Sequence, residues 1–255
     1  MRKLLAISLL AFAMGCNTAE LFEGPDSYSD DFEGYTVTED LLAPDDLYWS
    51  LFQETYPTNS VTLDSSFSRS GNQCVRCYAE AATDEDGASK AGFTKQKMAF
   101  FEGDTATVSA WYYIVGTAPA RWMFLMDFEE QAAIGAGPGM RLALVDEAIL
   151  LEHKYPNPNV HQPDGQEVIF PRDQWVQLTM ETRLSQKNDG YVKIYQDGTL
   201  IIEQYEWNTL PKDILYFQQG TKGMYTSVEF GITANTSDSP MTVYVDDVVV
   251  ENRKR

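Results

Sequence analysis

Residues 174–207 read "QWVQLTMETRLSQKNDGYVKIYQDGTLIIEQYEW". Apolar and polar residues alternate through three runs, and turn-forming residues separate them. A period of two puts successive side chains on opposite faces of an extended chain, so each run reads as a strand with one buried face. Asp197-Gly198 is the dipeptide that fills a tight two-residue hairpin, where both central residues need positive φ. The strands flanking it are therefore neighbours. Asn188-Asp189-Gly190 marks another reversal.

The same rhythm extends in both directions. It recurs in "TATVSAWYYIV" (105–115), "RWMFLMDFE" (121–129), "GMRLALV" (139–145), "SVEFGITAN" (227–235) and "MTVYVDDVVVE" (241–251). No stretch holds a 3.6-residue apolar stripe over three turns, which makes the chain all-β. About a dozen strands exceed what one twisted sheet holds comfortably, so a two-sheet antiparallel β-sandwich is expected. Residues 155–171, "YPNPNVHQPDGQEVIFP", carry four prolines and no period, and read as a long irregular surface loop. With no internal repeat and no second boundary, residues 31–255 are expected to form a single domain.

The chain opens "MRKLLAISLLAFAMGC", two cations followed by an apolar run from Leu4 to Met14 interrupted only by Ser8. This reads as a secretory leader over residues 1–15. Its apolar core is too short to span a bilayer, which takes about 20 residues. Ala13-Met14-Gly15-Cys16 resembles the bacterial lipobox. That resemblance implies a lipid on Cys16, an acidic tether over residues 16–30, and anchorage to the bacterial cell envelope, at the outer membrane or cell surface. Losing the leader removes Arg2 and Lys3 and no acid, taking the formal charge from −19 to −21. Such acidity excludes nucleic acid as a partner and leaves the lipid as the route to a membrane. A monomer is expected.

Three segments, "FFEGDTATVSAWYYI", "FPRDQWVQLTMETRLSQKNDGYVKIYQDGTLII" and "VEFGITANTSDSPMTVYVDDVVV", resemble the strands of concanavalin A-like jelly rolls. That superfamily includes laminin-G-like modules, lectins, and the heparin-lyase-like and alginate-lyase-like polysaccharide lyases. The resemblance covers roughly residues 31–251 and is carried by strands and turns, so it speaks to fold more than to activity. It implies a module that binds extracellular polysaccharide. The alternatives are a lyase cleaving a uronate glycan by β-elimination and an adhesion module that binds protein.

Candidate site residues follow from chemistry. In many carbohydrate-binding jelly rolls the first and last strands lie side by side and share a structural Ca²⁺. Here "SDDFEGY" and "VYVDDVVV" supply Asp31, Glu33 and Asp246, with Asp247 as the alternate, as oxygen ligands for such an ion. Sugar rings stack on aromatic faces, which singles out Trp111, Tyr113 and Trp122, while Tyr112 must face away from its two neighbours. The alginate-lyase-like families carry a Y-F-K-x-G-x-Y strand. "YFQQGTKGMY" (216–225) is similar to it with an insertion between the halves, and the similarity implies Tyr225 as base or acid beside Lys222, helped by Arg141 and His153. The spacing in "DFEE" (127–130) is not the Glu-x-Asp-x-x-Glu of the glucanases, so paired-carboxylate hydrolysis is not expected.

Cys74 and Cys77 are the thiols left once Cys16 is assigned to lipid. A zinc site would need more ligands than His153 and His161 supply nearby, and no βαβ unit surrounds the pair for thioredoxin-type chemistry. Two arrangements remain: a regular strand with both thiols free, or a bulge or turn closing a local disulfide. An oxidising compartment favours the disulfide.

Overall fold

Alternation of the kind read at 174–207 recurs along the chain and folds it into two facing antiparallel sheets. The computed structural model describes residues 25–42, 49–83, 87–129, 139–154, 157–210 and 224–255, apart from the Lys97 side chain. The expected leader, Cys16, Lys222 and most of the tether lie outside these residues. In chain order the strands are β1 (Ser27–Asp30), β2 (Leu51–Glu54), β3 (Ser60–Asp64), β4 (Cys74–Ala79), β5 (Ser89–Phe101), β6 (Thr105–Ile114) and β7 (Ala120–Glu129). They continue with β8 (Gly139–Asp146), β9 (Ala148–His153), β10 (Trp175–Arg183), β11 (Gly190–Gln196), β12 (Thr199–Trp207), β13 (Met224–Asn235) and β14 (Met241–Arg253). One sheet has eight strands, in the order β12-β11-β10-β6-β14-β4-β3 with β1 also on β14; the other has six, in the order β2-β5-β13-β7-β8-β9.

The opening stretch forms β10, β11 and β12 as read. Asp197 and Gly198 both take positive φ, 48° and 76°, and close the β11–β12 hairpin. The first and last strands are neighbours: β1 pairs antiparallel with β14, Asp30 opposite Val248. The sheet thus begins at Ser27, inside the stretch that the sequence assigns to the tether.

Each strand turns one face into a shared apolar interior. Trp49, Phe32, Phe93 and Phe230 form an aromatic cluster there, with the Trp49 and Phe93 rings 4.5 Å apart and edge-to-face. Asp30 fastens the N-terminal strand to this cluster. Its carboxylate accepts from the Trp49 indole (2.8 Å), the Tyr35 and Tyr28 hydroxyls and the Phe32 amide. Tyr112 faces inward, as its position between Trp111 and Tyr113 requires, and its hydroxyl donates to the Leu125 carbonyl of the opposite sheet (3.0 Å). The Pro-rich stretch is irregular from residue 157 to 170, where buried Gln162 stands in for sheet pairing: its amide donates to the Ile149 carbonyl and its oxygen accepts from the Val168 amide.

The expected disulfide is corrected by the structure: Cys74 and Cys77 are free, buried thiols. β4 is a regular strand, paired residue for residue with β3 and β14, so residues three apart point to opposite faces and cannot bridge. Cys74 donates to the Phe67 carbonyl, and burial pushes the Cys77 thiol up to about 12. Cys77 faces Gly231, where φ is +103° and an added Cβ would come 2.7 Å from the Cys77 sulfur. A protein with Cys16 replaced by serine should therefore yield two reactive thiols when unfolded without reductant and none while folded. An unfolded chain with no reactive thiol would contradict the free-thiol assignment.

Candidate active site on the outer face of the six-stranded sheet

The face of the six-stranded sheet turned away from the core carries an ionic row. Register builds it: Glu152 of β9 lies opposite Arg141 of β8, Arg141 opposite Asp127 of β7, Asp127 opposite Glu229 of β13, and Glu229 opposite Thr94 of β5. In the next row Glu129 lies opposite Ser227 and Gly139. Residues directly opposite in antiparallel strands share a face, so these side chains must meet. One oxygen from each of Asp127, Glu129 and Glu229 lies within 4.8 Å of the others.

Such a concentration of acid persists because cations and hydrogen-bond donors surround it. Arg141 pairs with Glu152 at 2.5 Å and reaches Asp127 at 3.8 Å; Lys154 pairs with Glu129. Thr233 donates to Asp127 (2.7 Å), and Gln53 donates to Glu229 (2.6 Å) while accepting from Lys90 (3.0 Å). The Arg141 guanidinium also lies 3.7 Å from the Phe124 ring centre, and Phe124 packs beside Trp122. That is an aromatic ledge next to a cation.

Asp127 and Glu229 are each 2% exposed and Glu129 7%. Burial raises the Glu229 carboxyl to about 8, with Asp127 and then Glu129 pushing the same way. Burial, and after it Asp127, raises Glu129 too, against the pull of Lys154. Glu229 therefore holds its proton into the neutral range, and Glu129 holds its proton more strongly than an ordinary carboxylate, as proton-transfer chemistry requires.

The residues expected from sequence do not gather here as a set. Arg141 lies in the row. His153, one residue beyond Glu152, faces the interior against Trp207, and burial lowers it to about 4. Tyr225 is buried against Phe128, its hydroxyl donating to the Thr209 carbonyl, because the β13–β5 register shifts between Tyr225 and Ser227. Trp122 belongs to this face, but Trp111 and Tyr113 lie on the outer side of the eight-stranded sheet. Arg69 covers Trp111, and Phe67 packs on Tyr113.

Glu33 and Asp246 bind loop amides: Glu33 accepts from Asn72 and Gln73, which holds its carboxyl low, and Asp246 accepts from Arg69 and Ser70. Asp31 lines a shallow cleft with Asp30, Tyr35 and Asp247. Sequence reasoning missed Asp127, Glu129 and Glu229. The available signal was the two acids at i and i+2 in "MDFE", with a third inside the apolar run "SVEFGITAN".

A family model described as polysaccharide lyase matches residues 46–249. The chain belongs to this polysaccharide lyase family. Solved structures, two of them lyases, share its architecture. An endo-β-1,4-glucuronan lyase from the fungus Trichoderma reesei has a TM-score of 0.63 at 14% identity, over 80% of this chain and 90% of that one. The cellulose-induced protein Cip1 gives 0.59 at 17%, over 87% and 95%. An alginate lyase from Aplysia kurodai gives 0.52 at 13%, over 81% and 92%. At these identities the likeness is one of fold. No curated protein sequence matches.

The raised carboxyl of Glu229 ties stability to pH. Below about pH 4.5 folded and unfolded chains both hold its proton; above that the unfolded chain releases it first, so stability falls as pH rises toward 8. Glu229→Gln keeps the acceptor for Gln53 and removes the charge. In chelator-containing buffer it should raise the melting temperature at pH 8, by about 2–4 °C for each kcal/mol recovered, and change it little at pH 4.5. Equal shifts at both pH values would contradict a buried, proton-holding Glu229.

Proposed function

We propose that this protein cleaves an acidic polysaccharide by β-elimination on the outer face of the six-stranded sheet. The observation that carries the reading is the buried ionic row of Arg141, Asp127, Glu129, Glu229 and Lys154 beside the Trp122–Phe124 ledge, in a chain of a polysaccharide lyase family. Elimination removes the C5 proton next to a uronate carboxylate and expels the C4 oxygen. It needs a cation for that carboxylate and a base for that proton.

In this reading a sugar ring rests on Trp122, and Arg141, oriented by Glu152 and Phe124, meets the carboxylate. Glu129, the least enclosed of the three acids and held by Lys154, takes the C5 proton and passes it to the departing C4 oxygen as the C4–O bond breaks and the C4–C5 double bond forms. The glucuronan and alginate lyases of the same fold make polyuronates the substrates to try first. Carried on a lipid at Cys16, the domain would meet polymer outside the cell.

Ultraviolet absorbance of unsaturated product, followed with glucuronan, alginate and heparin, tests this. Arg141→Ala should lower kcat/KM by about 10²–10³-fold. Trp122→Ala should mainly raise KM, by about 3–10-fold. Polysaccharide that retards the protein in a gel without any ultraviolet product would replace the lyase reading with binding alone, and Arg141→Ala at full activity would remove the row from the chemistry.

A further inference from the structure

We infer that Asp127, Glu129, Glu229 and Thr94 form a Ca²⁺ site at the centre of the outer face of the six-stranded sheet. In its coordination the inference stands on the geometry alone; in its role it rests on the lyase reading above. Three carboxylates on two strands, β7 and β13, bring one oxygen each within 4.8 Å of the others, a spacing that one ion can span. Thr94 supplies an independent observation. It lies directly across β5–β13 from Glu229, on the same face, fully buried, and its hydroxyl oxygen has no hydrogen-bond partner among the described residues. Buried hydroxyls are rarely left without a partner, because the desolvation cost goes unrecovered.

Both features need an electrophile. Among the described residues Glu229 has Gln53 and, beyond it, Lys90 on its other side, and Gln53 approaches its Oε1. Two of the four acids on this face already have strong cationic partners, Glu152 in Arg141 and Glu129 in Lys154; Asp127 has Arg141 only at 3.8 Å. Asp127 and Glu229 thus hold the least compensated charge, and they face each other.

The donor set is all oxygen, from carboxylates and a hydroxyl. This suits a hard ion of flexible coordination, and bidentate carboxylates bring the available oxygens into the range of about 6–8 that Ca²⁺ takes. Four carboxylates face three cations here, counting Lys90. A divalent ion reverses the sign of the local charge and presents a positive centre to a polyuronate, which the acidity of the chain otherwise opposes. Glu129 closes the site at its edge, where it stays paired with Lys154 and keeps its place as the base.

The test is calorimetric titration of the whole protein with Ca²⁺ after chelator treatment, alongside Asp127→Asn/Glu229→Gln, Thr94→Val and Asp31→Asn/Glu33→Gln. One ion should bind wild type. The first double variant should weaken binding at least tenfold, Thr94→Val should weaken it severalfold, and Asp31→Asn/Glu33→Gln should bind as wild type does. The isosteric amides relieve repulsion, so circular dichroism should find them folded.

Heat of one ion that vanishes in Asp31→Asn/Glu33→Gln and persists in Asp127→Asn/Glu229→Gln would overturn the assignment, as would no binding at millimolar Ca²⁺. The ultraviolet assay with and without chelator separates the two readings. Undiminished cleavage with no ion bound overturns the ion's role in the chemistry and leaves the lyase standing, whereas an ion bound at these residues with no cleavage of any polyuronate supports the site and overturns the lyase.

Discussion

The antiparallel pairing of β7 with β13 sets Asp127 directly opposite Glu229, and much of the ionic row on the outer face follows from that one contact. Two carboxylates at cross-strand distance repel, and burial strengthens the repulsion because no water screens it. The sheet answers with donors from every side: Thr233 from the same strand, Arg141 and Lys154 from the β8–β9 edge, Gln53 from β2. Removing any of them leaves charge uncompensated in a dry site, an outcome more costly than never having built the row.

Stability comes from the other side of the same strands. Phe128, between Asp127 and Glu129, packs on Phe100 and Tyr225 in the interior, and Phe230, next to Glu229, joins the cluster around Trp49. The two central strands therefore carry apolar packing on one face and the acid cluster on the other, on alternate residues. The packing fixes the positions of the carboxylates, and this rigidity gives binding groups their accuracy. Asp30 does equivalent work at the N-terminal edge, where one carboxylate joins β1 to the aromatic cluster through the Trp49 indole.

Most of the architecture is legible in the sequence because it rests on local patterns. Alternation gives the strands, Asp197-Gly198 gives a hairpin, and the position of Tyr112 between two aromatics gives its inward direction. The site is far less legible. Asp127 and Glu229 are about a hundred residues apart, and no local pattern says that β7 and β13 are neighbours in that register. The two acids in "MDFE" were visible, but only as a spacing that failed to match a hydrolase.

Tyr225 and His153 went astray for a related reason. A register shift in β13–β5 and the parity of β9 turn them into the interior, while Arg141 on β8 stays outside. The aromatic candidates divided for want of sheet assignment: Trp122 and Trp111 belong to different sheets and look in opposite directions. The cysteines were misjudged by weighing compartment above strand geometry, since the unbroken ladder of β4 forbids the bridge.

The central claim is that polysaccharide lies across the outer face of the six-stranded sheet. Hydrogen exchange measured with and without a glucuronan or alginate oligomer tests it most directly. The account predicts slowed exchange in β7, β8 and β13, around Asp127, Arg141 and Glu229, with β6 and β14 unchanged. Protection confined to the face that bears Trp111 and Tyr113 would contradict it.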